Sequence, residues 1–471
     1  MNKYDYIVIG GGPSGIFFSY EMKKNHPEKS ILLIEKGNKI ESRICPKRKT
    51  GKCVNCTPCN ITTGFSGSGA FSDGKLTISD HGEIGGFLID YIGKKNYHDL
   101  LEYTDNIYLN FGADTKLHGT DNMDAVRDIE KKAFENNLKL IYSPVRHLGT
   151  EKAKELYQKL EKDLEEKGVE LLFNHVVSDL IIENDKILGV KVLSTSDMYK
   201  HNENYIEYYS DNVVVGVGRE GSTWLNDLCD KHNILTKPGT VDIGVRIETS
   251  SKVTEYIDNA MYEAKLINHT KTFDDKVRTF CWNPRGEVSE ERYDSLAVAN
   301  GHAYKDEHLK TNNTNFALLV SLNFTEPFKT PIQYGKHIAE LANMLSGGKV
   351  LVQRYGDLKR GRRSTERRIS ENNLTPTLKD AVPGDLGMVL PYRVMTDLCE
   401  TIESLNHLMP GFNSDGTLLY GVEVKFYSNK IKVNEKFETN IKGLYAMGDG
   451  AGITRGLIQA SMNGVYLAQN I

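Results

Sequence analysis

The turn that follows the first apolar segment places the tightest limit on how this chain can fold. Residues 6–9 form an apolar run, a glycine-rich G-x-G-x-x-G pattern follows, and Pro13 to about Asn25 is predicted to be helical. A second apolar strand is predicted at Ile31–Ile34, and Glu35 closes it. Strand, glycine turn, helix and acid-terminated strand in this order are typical of a dinucleotide-binding unit. The three glycines are Gly10, Gly12 and Gly15.

Each position in this unit has a chemical reason. Gly10 permits the tight turn, Gly12 lets a pyrophosphate approach the backbone, and Gly15 lets the helix pack close to the strand. The helix N-terminus offers free N–H groups to the phosphates. Glu35 is suited to accept hydrogen bonds from ribose hydroxyls, which argues against a 2′-phosphate. The cofactor-binding residues predicted in this stretch are Gly10, Gly12, Pro13, Ser14, Gly15, Glu35 and Lys36.

Length and composition narrow the class of protein. A chain of 471 residues is long enough for two or more domains, and its 39% hydrophobic and 26% charged residues are ordinary for a globular protein. A net charge of −4 argues against polyanion binding by bulk charge. No apolar run approaches about 20 residues, so we expect no membrane span. The first strand begins almost at once, so we expect no signal peptide and a cytoplasmic location.

The other end of the chain indicates which dinucleotide binds. Residues 443–447 are predicted to form a strand, a glycine-rich turn follows, and residues 456–470 are predicted to be helical. The segment GLYAMGDGAGITRGLIQASMNGVYLAQ resembles the C-terminal FAD motif of glutathione-reductase-like flavoproteins. Asp449 matches the acid that hydrogen-bonds the ribityl or phosphate region in that group. The resemblance, paired with the N-terminal turn, favours FAD over NAD.

Two further glycine-rich segments are predicted to lie near the cofactor. Residues 64–77, GFSGSGAFSDGKLT, are small enough to let backbone pass close to a flat ligand. A second G-x-G-x-x-G at residues 216–221 lacks an acid-terminated strand after it, so we interpret it as a strand-to-helix turn near the cofactor. The remaining predicted cofactor-binding residues are Gly67, Ser68, Gly69, Val177, Gly216, Gly218, Gly448, Asp449 and Gly450.

The predicted architecture is α/β: a glutathione-reductase-like, doubly wound FAD-binding domain with an inserted mixed α+β substrate domain. The FAD-binding domain is expected to comprise residues 1–236, with a cysteine-rich loop at 37–86, and residues 435–471. Residues 237–434 contain short alternating or apolar runs joined by polar loops, which favour a largely antiparallel sheet. Within this segment, residues 331–346 and 392–408 are predicted helices.

Several motifs together resemble one family. The segments GFSGSGAFSDGKLT, DIGVRIE, GRRSTE, GVEVKFYS and GDGAGITRGLIQAS are similar to those of a little-characterised FAD-dependent dehydrogenase family, within the NAD(P)/FAD-dependent oxidoreductases and related to the BaiN-type flavoproteins. The matches are spread over almost the whole chain. The resemblance implies a cofactor and a fold but no substrate.

Four cysteines are crowded into fifteen residues of the predicted loop. The spacing of the last three is typical of an iron–sulfur run, and the first precedes a proline, as the last ligand of bacterial ferredoxin runs does. Four thiolates also suit a structural zinc ion, and a C-x-x-C pair suits a redox-active dithiol. Free thiols without a metal are the fourth alternative. The candidate metal ligands are Cys45, Cys53, Cys56 and Cys59.

A basic segment in the predicted substrate domain has two interpretations. Residues 354–368 carry seven arginines and lysines, which are most often solvated or ion-paired. The functional alternative is an anion-recognition loop, because arginine binds carboxylate and phosphate in a bidentate manner. A nucleic-acid surface is disfavoured, because only Tyr355 supplies an interleaved aromatic ring.

The predicted function is hydride transfer between flavin N5 and a C–C or C–N bond of a small, anionic substrate. His302 is a candidate to move a proton with the hydride, and Arg455 is a candidate to place positive charge near the pyrimidine end of the flavin. An electron-donor protein or NAD(P)H is expected as the redox partner. The alternatives are a flavoenzyme that modifies nucleic acid and a non-enzymatic FAD- and thiol-bearing redox sensor or electron-transfer protein. Arg246 and Glu423 are expected either to pair or to face solvent.

Overall fold

The fold is taken from a computed structural model of the chain. It describes residues 2–46, 54, 56–69, 74–81, 84–200, 204–237, 239–293, 296–304, 307–322, 324, 328, 330–426 and 429–471. The chain divides into two compact units. The first unit comprises residues 1–116, 146–239 and 427–471, and the second comprises residues 117–145 and 240–426.

Strands and helices alternate in the first unit, whereas strands dominate the second. The helices are α1 Pro13–Asn25, α2 Leu88–Ile92, α3 Lys94–Asn110, α4 Met123–Glu135, α5 Thr150–Glu166, α6 Thr195–Tyr199, α7 Ser222–Lys231, α8 Ser251–Ala260, α9 Pro331–Ser346, α10 Tyr355–Lys359, α11 Glu366–Ser370, α12 Tyr392–Leu408 and α13 Leu457–Asn470. The strands are β1 Tyr6–Ile9, β2 Ile31–Glu35, β3 Lys75–Thr77, β4 Leu138–Ile141, β5 Val145–His147, β6 Val169–Phe173, β7 His175–Glu183, β8 Lys186–Ser194, β9 Ile206–Tyr209, β10 Val213–Val215, β11 Thr236–Lys237, β12 Val241–Ser250, β13 Lys265–His269, β14 Lys276–Asn283, β15 Glu287–Tyr293, β16 Leu296–His302, β17 Asn313–Leu322, β18 Leu351–Arg354, β19 Val382–Pro383, β20 Leu418–Phe426, β21 Lys430–Ile431 and β22 Leu444–Ala446.

A parallel sheet forms the centre of the first unit. Its strand order is β22-β10-β1-β2-β6, and all four neighbouring pairs are parallel. Every residue of β1, β2 and β10 is buried. Their continuous Val, Ile and Leu runs fit this position, because a parallel sheet is covered on both faces. The sheet brings the ends of β1, β10 and β22 side by side, although these strands are far apart in the sequence.

Helix α1 begins at Pro13, whose fixed φ and missing N–H suit the first helical position. It packs along α13, the last helix of the chain. A Cβ added to Gly464 of α13 would lie 2.2 Å from the carbonyl oxygen of Ser14, so this contact requires a residue without a side chain. The N-terminal and C-terminal segments therefore form one continuous core.

The second unit is built on an eight-stranded sheet with the order β19-β18-β20-β12-β17-β14-β13-β4. All its pairs are antiparallel except β18 with β19. Alternate residues of β12 serve different purposes. Val241, Ile243, Val245 and Ile247 join the apolar core, whereas the intervening positions hold buried polar groups or glycine. This mixed, largely antiparallel unit agrees with the fold class predicted from the sequence.

One segment of the predicted FAD-binding domain lies in the second unit. Residues 117–145 belong to the second unit because β4 pairs antiparallel with β13 and α4 packs beside it. The unit boundaries at 239/240 and 426/427 are close to the predicted ones at 236/237 and 434/435. Long-range pairing of a four-residue strand leaves too weak a pattern in the sequence to assign this segment.

Candidate cofactor site

The glycine turn after β1 contains two kinds of glycine. Gly10 has φ +106°, and a Cβ there would lie 2.9 Å from the carbonyl oxygen of Gly216; a Cβ at Gly15 would lie 2.1 Å from the carbonyl oxygen of Gly10. These two are required by packing. Gly12 is different, because a Cβ there would meet no protein atom within 4 Å. Protein atoms therefore crowd the turn at Gly10 and Gly15, and the space beside Gly12, just before α1, is open.

Glu35 is held at the end of β2 by the backbone around it. Its Oε2 accepts a hydrogen bond from the Gly11 N–H at 2.8 Å, and its Oε1 accepts one from the Gly37 N–H at 2.8 Å. Burial raises the pKa of Glu35, although these two N–H groups oppose that rise. The carboxyl is thus rigidly placed beside the glycine turn, with one N–H bond on each oxygen.

The loop at residues 64–69 lies over this turn. The Ser66 N–H donates to the Gly11 carbonyl oxygen at 2.7 Å, and a Cβ at Gly67 would lie 3.7 Å from the Cα of Gly12. The guanidinium of Arg43, which is buried, donates to the carbonyl oxygens of Phe65 at 2.6 Å and of Ile61 at 2.7 Å. Burial lowers the pKa of Arg43 to about 10. The predicted loop is therefore in place, and Arg43 is an anchor that the sequence pattern did not indicate.

The second glycine motif meets the first turn. The Gly216 N–H donates to the Ile9 carbonyl oxygen at 2.9 Å, and the Ser14 hydroxyl donates to the Gly216 carbonyl oxygen at 3.1 Å. A Cβ at Gly218 would meet no protein atom within 4 Å. The prediction of a strand-to-helix turn is confirmed, since β10 leads through it into α7, and its contact with the cofactor stays a prediction.

The turn after β22 completes the cradle. Gly448 has φ +80°, and a Cβ there would lie 2.8 Å from the Ser14 hydroxyl oxygen. The Thr454 hydroxyl donates to Asp449 Oδ1 at 2.7 Å, and the Gly448 N–H donates to Asn463 Oδ1 at 2.9 Å. Burial raises the pKa of Asp449, and Arg219 opposes that rise. Ser14 thus lies where the first turn, the turn after β10 and the turn after β22 converge.

These residues fit an FAD molecule. The cradle is crowded at Gly10, Gly15 and Gly448, where protein atoms meet, and open at Gly12 and Gly218, where a pyrophosphate would pass. The N-terminus of α1 has no side-chain cap, so its first N–H groups are left for an anion. Glu35 and Asp449 provide carboxyl groups in this region: Glu35 accepts a hydrogen bond from the first turn, and Asp449 belongs to the turn after β22.

Comparison with known proteins agrees with this fit. Residues 240–426 match the model of a family described as "FAD-dependent protein, C-terminal domain-like". The matched residues lie in the second unit, so over that unit the chain is similar to an FAD-dependent protein, and an oxidoreductase activity is a proposal. The narrower relationship to BaiN-type flavoproteins stays a prediction.

Two curated relatives and one solved structure give the range of similarity. An uncharacterised protein from Clostridium beijerinckii is 26% identical over 99% of this chain and 80% of its own length. A digeranylgeranylglycerophospholipid reductase from Methanococcus vannielii is 26% identical over 56% of this chain and 62% of its own length. The structure of L-proline dehydrogenase from P. horikoshii aligns with 99% of this chain and 93% of its own at 13% identity, with a TM-score of 0.39. A structural similarity this low carries no argument about the enzyme.

Two other predicted cofactor residues already have partners within the first unit. The Lys36 amine lies 2.8 Å from a Glu220 carboxylate oxygen. The Val177 carbonyl oxygen accepts a hydrogen bond from the Trp224 indole at 2.7 Å. Their contact with FAD stays a prediction.

The cysteine hypothesis falls partly outside the described residues. Cys53 is not described, and Cys45, Cys56 and Cys59 have free thiols. No group of three or more metal-binding side chains is found in the part of the chain that the structure describes. All four alternatives, namely an iron–sulfur cluster, a zinc ion, a redox-active dithiol and thiols without a metal, therefore stay predictions.

The two predicted catalytic residues lie in different units. Arg455 belongs to the first unit, where its N–H donates to the Gly85 carbonyl oxygen at 2.9 Å and its guanidinium lies 5.1 Å from the centre of the Phe87 ring. His302 ends β16 in the second unit, with its ring 4.8 Å from that of Tyr304. A catalytic role for either residue stays a prediction.

Part of the basic segment is ion-paired within the second unit. Arg362 Nε lies 2.8 Å from Asp357 Oδ1, and the Ser364 hydroxyl donates to Asp357 Oδ2 at 2.8 Å. Burial acts against ionisation of Asp357, but Arg362 and Ser364 lower its pKa. Arg360 pairs with Asp415 at 2.8 Å. These ion pairs favour a structural role over an anion-recognition loop.

The charged pair on β12 and β20 is buried. Arg246 Nε lies 2.8 Å from Glu423 Oε2, and both side chains are 0% exposed. Lys425 Nζ lies 3.0 Å from Glu423 Oε1. Burial acts against ionisation of Glu423, yet Arg246 and Lys425 hold its pKa below the usual value. Of the two expectations for these residues, pairing is confirmed.

Lys430 is a functional candidate that the sequence analysis missed. It lies in β21, and its amine is 2.8 Å from the centre of the Phe87 ring. Burial lowers its pKa to about 8, and Arg455 contributes to the decrease. A lone lysine in a two-residue strand gives no pattern that would single it out.

Proposed function

We propose that the enzyme transfers a hydride between FAD and a C–C or C–N bond of a small anionic substrate. The convergence of the three glycine-rich turns at Ser14 carries the proposal, because it gives one cradle to a dinucleotide. Bound FAD supplies hydride chemistry at its N5 atom. The protein binds and orients the reactants, excludes water and supplies protons.

Of the two bond types, reduction of a carbon–carbon double bond is the better supported. The relative from Methanococcus vannielii is a digeranylgeranylglycerophospholipid reductase by name. Hydride adds readily to a double bond conjugated with a carboxylate or carbonyl group. In the balanced reaction, one alkene carbon would gain the hydride that the bound cofactor supplies, and the other alkene carbon would gain a proton from the protein. NAD(P)H or an electron-donor protein then returns the two electrons.

Two side chains have proposed roles in this reaction. Arg455 provides fixed positive charge close to the Asp449 turn, where negative charge on the cofactor or substrate would be stabilised. His302 is the proposed proton donor, because histidine is the side chain that most often serves as a general acid in enzymes. Hydride transfer and protonation together complete the saturation of the double bond.

The test begins with an anaerobic ultraviolet–visible spectrum and metal analysis of the purified protein. We expect the absorption bands of oxidised flavin, and a protein without flavin would contradict the proposal. Reduced protein is then mixed anaerobically with α,β-unsaturated carboxylates and, separately, with cyclic imines. Reoxidation by the unsaturated acids is the expected result. Reoxidation by imines alone would replace the carbon–carbon assignment with a carbon–nitrogen one.

The same metal analysis tests the cysteine loop. We propose that Cys45, Cys53, Cys56 and Cys59 hold an iron–sulfur cluster or a zinc ion, on the basis of four thiolates within fifteen residues. Iron with broad absorbance near about 400 nm supports a cluster. Stoichiometric zinc supports a structural site, and neither metal in anaerobically prepared protein contradicts both.

A further inference from the structure

Two cationic side chains lie against one aromatic ring in the first unit. The Lys430 amine is 2.8 Å from the centre of the Phe87 ring, and the Arg455 guanidinium carbon is 5.1 Å from it. All three residues are half-buried. Burial and the charge of Arg455 both act against the protonated form of Lys430. An anion beside the Lys430 amine would offset both effects.

Backbone hydrogen bonds fix the three segments that carry these side chains. The Phe87 N–H donates to the Ile453 carbonyl oxygen at 2.7 Å, and the Arg455 N–H donates to the Gly85 carbonyl oxygen at 2.9 Å. The Ile431 N–H donates to the Ala451 carbonyl oxygen at 3.1 Å. These hydrogen bonds fix the backbone positions from which Phe87, Lys430 and Arg455 extend, close to the turn that contains Asp449.

The Lys430 amine makes no hydrogen bond or ion pair with any residue that the structure describes. Burial, then Arg455, lowers its pKa to about 8; Lys237 also lowers it, and Asp90 acts in the opposite direction. Asp90 and Lys237 are both exposed, so solvent screens their charges. Lys430 is cationic at neutral pH, and among the described residues its amine lies against the face of the Phe87 ring.

We propose that Lys430 and Arg455 bind the carboxylate of the substrate, with the Phe87 ring packing against the adjoining carbon skeleton. This inference rests on the proposed function, in which the substrate is small and anionic. A carboxylate with an apolar skeleton suits this site, because two cations neutralise the anion and a ring face offers apolar contact. The site lies in the segment of the Asp449 turn, beside the cofactor cradle.

The proposal predicts how binding depends on pH. An anion stabilises protonated Lys430, so the carboxylate binds tightly below about pH 8 and loses affinity as the free amine deprotonates above it. From about pH 7 to about pH 9.5 the expected loss is roughly tenfold or more. An arginine at position 430 stays charged throughout this range, so it should remove the pH dependence while keeping the binding.

The experiment measures binding of benzoate to the oxidised, FAD-bound protein. Isothermal titration calorimetry gives the Kd, and the change in flavin absorbance reports whether the anion lies near the cofactor. The variants are Lys430→Gln and Lys430→Arg. Lys432→Gln is the matched control, because Lys432 is an exposed lysine two residues away. FAD content and thermal midpoint are measured for each variant, so that misfolded protein is recognised.

We expect Lys430→Gln to weaken benzoate binding about tenfold or more and to abolish the pH dependence. Lys430→Arg should bind at every pH, and Lys432→Gln should match the wild type. Benzoate affinity and pH profile that are unchanged in both Lys430 variants would overturn the proposal, as would preferential binding of inorganic phosphate. The benzoate measurement involves no turnover. If benzoate binds through Lys430 but no unsaturated acid reoxidises the reduced protein, the proposed function is contradicted and the carboxylate site is still supported.

Discussion

At the scale of a single residue, a substitution of Gly12 should weaken cofactor binding without affecting folding. Its φ of −80° suits any amino acid, and a Cβ there meets no protein atom within 4 Å. We therefore expect Gly12→Ala to leave the thermal midpoint of the apoprotein nearly unchanged. The added methyl group would occupy the path of the pyrophosphate, so the Kd for FAD should rise about tenfold or more. Flavin fluorescence quenching measures the Kd, and an unchanged Kd would contradict the proposed cradle.

The carboxyl group of Asp258 is expected to make the stability of the protein depend on pH. It accepts hydrogen bonds from the Trp282 indole at 2.7 Å and from the hydroxyls of Thr254 at 2.6 Å and Thr314 at 3.1 Å. Burial raises its pKa from 3.8 to about 6. The protonated form is favoured in the folded state, so this contribution to stability is complete below pH 3.8 and is lost as pH rises through about 6.

The variant Asp258→Asn stays neutral and should escape that loss. As the pH rises from about 4 to about 7, the wild type should lose stability relative to the variant. The relative loss in free energy of unfolding should be at most about 3 kcal/mol. Denaturant titrations at several pH values measure it. Glu130→Gln, which changes an exposed acid of the same unit, should follow the wild type. Parallel curves for Asp258→Asn and wild type would show that Asp258 does not titrate in this range.

The residues that the sequence could predict are those whose chemistry depends on local spacing. Gly10, Gly15 and Glu35 lie within one strand–turn–helix–strand unit, and the structure shows the crowding at the two glycines that their spacing implied. The Glu35 carboxyl accepts hydrogen bonds from the Gly11 and Gly37 N–H groups, and its predicted contact with a ribose stays a prediction. Arg43 and Lys430 were missed because their importance comes from partners elsewhere in the fold. Burial and neighbours make each of them unusual, and neither effect is visible in a single sequence.

At the scale of elements, the contact between α1 and α13 joins the two ends of the chain. A Cβ at Gly464 would lie 2.2 Å from the Ser14 carbonyl oxygen and 2.8 Å from the Phe18 nitrogen. Gly464→Ala should push these helices apart and cost about 1–3 kcal/mol of the free energy of unfolding. Denaturant unfolding of the apoprotein measures this cost. Gly12→Ala is the matched control, because the same substitution there meets open space.

Displacement of α1 would also disturb the turn that precedes it. We therefore expect Gly464→Ala to lower both stability and FAD affinity, whereas Gly12→Ala should lower affinity alone. A Gly464→Ala protein as stable as wild type would mean that the two helices separate without cost. That outcome would remove the argument that tight helix packing holds the cradle together.

Long elements with clear periodicity were predictable, and short paired strands were not. The predicted helices at 331–346 and 392–408 agree with Pro331–Ser346 and Tyr392–Leu408. Residues 87–140 contain α2, α3 and α4, which are helices of five to seventeen residues. They also contain the start of β4, which exists because β13 pairs with it. A four-residue strand depends on its partner, so its own sequence determines it weakly.

At the scale of the whole molecule, FAD is expected to couple segments that are distant in the sequence. The turns after β1, β10 and β22 come from three stretches of the first unit, and Ser14 contacts the other two turns. The described part of the chain contains no helix long and apolar enough to cross a membrane. Hydrogen–deuterium exchange of the purified apoprotein, compared with that of the FAD-bound form, tests this coupling.

A ligand that binds only the folded state stabilises it, by about 2.7 kcal/mol when its free concentration is 100 times the Kd. We expect FAD to slow amide exchange in all three turns, because each contributes backbone to the cradle. Exchange should slow together at residues 10–16, 216–221 and 448–457, as measured by mass spectrometry of peptic peptides. Protection confined to residues 10–16 would show that the C-terminal turn takes no part in binding. The cradle would then be an ordinary dinucleotide turn, and the assignment of Asp449 to FAD would be wrong.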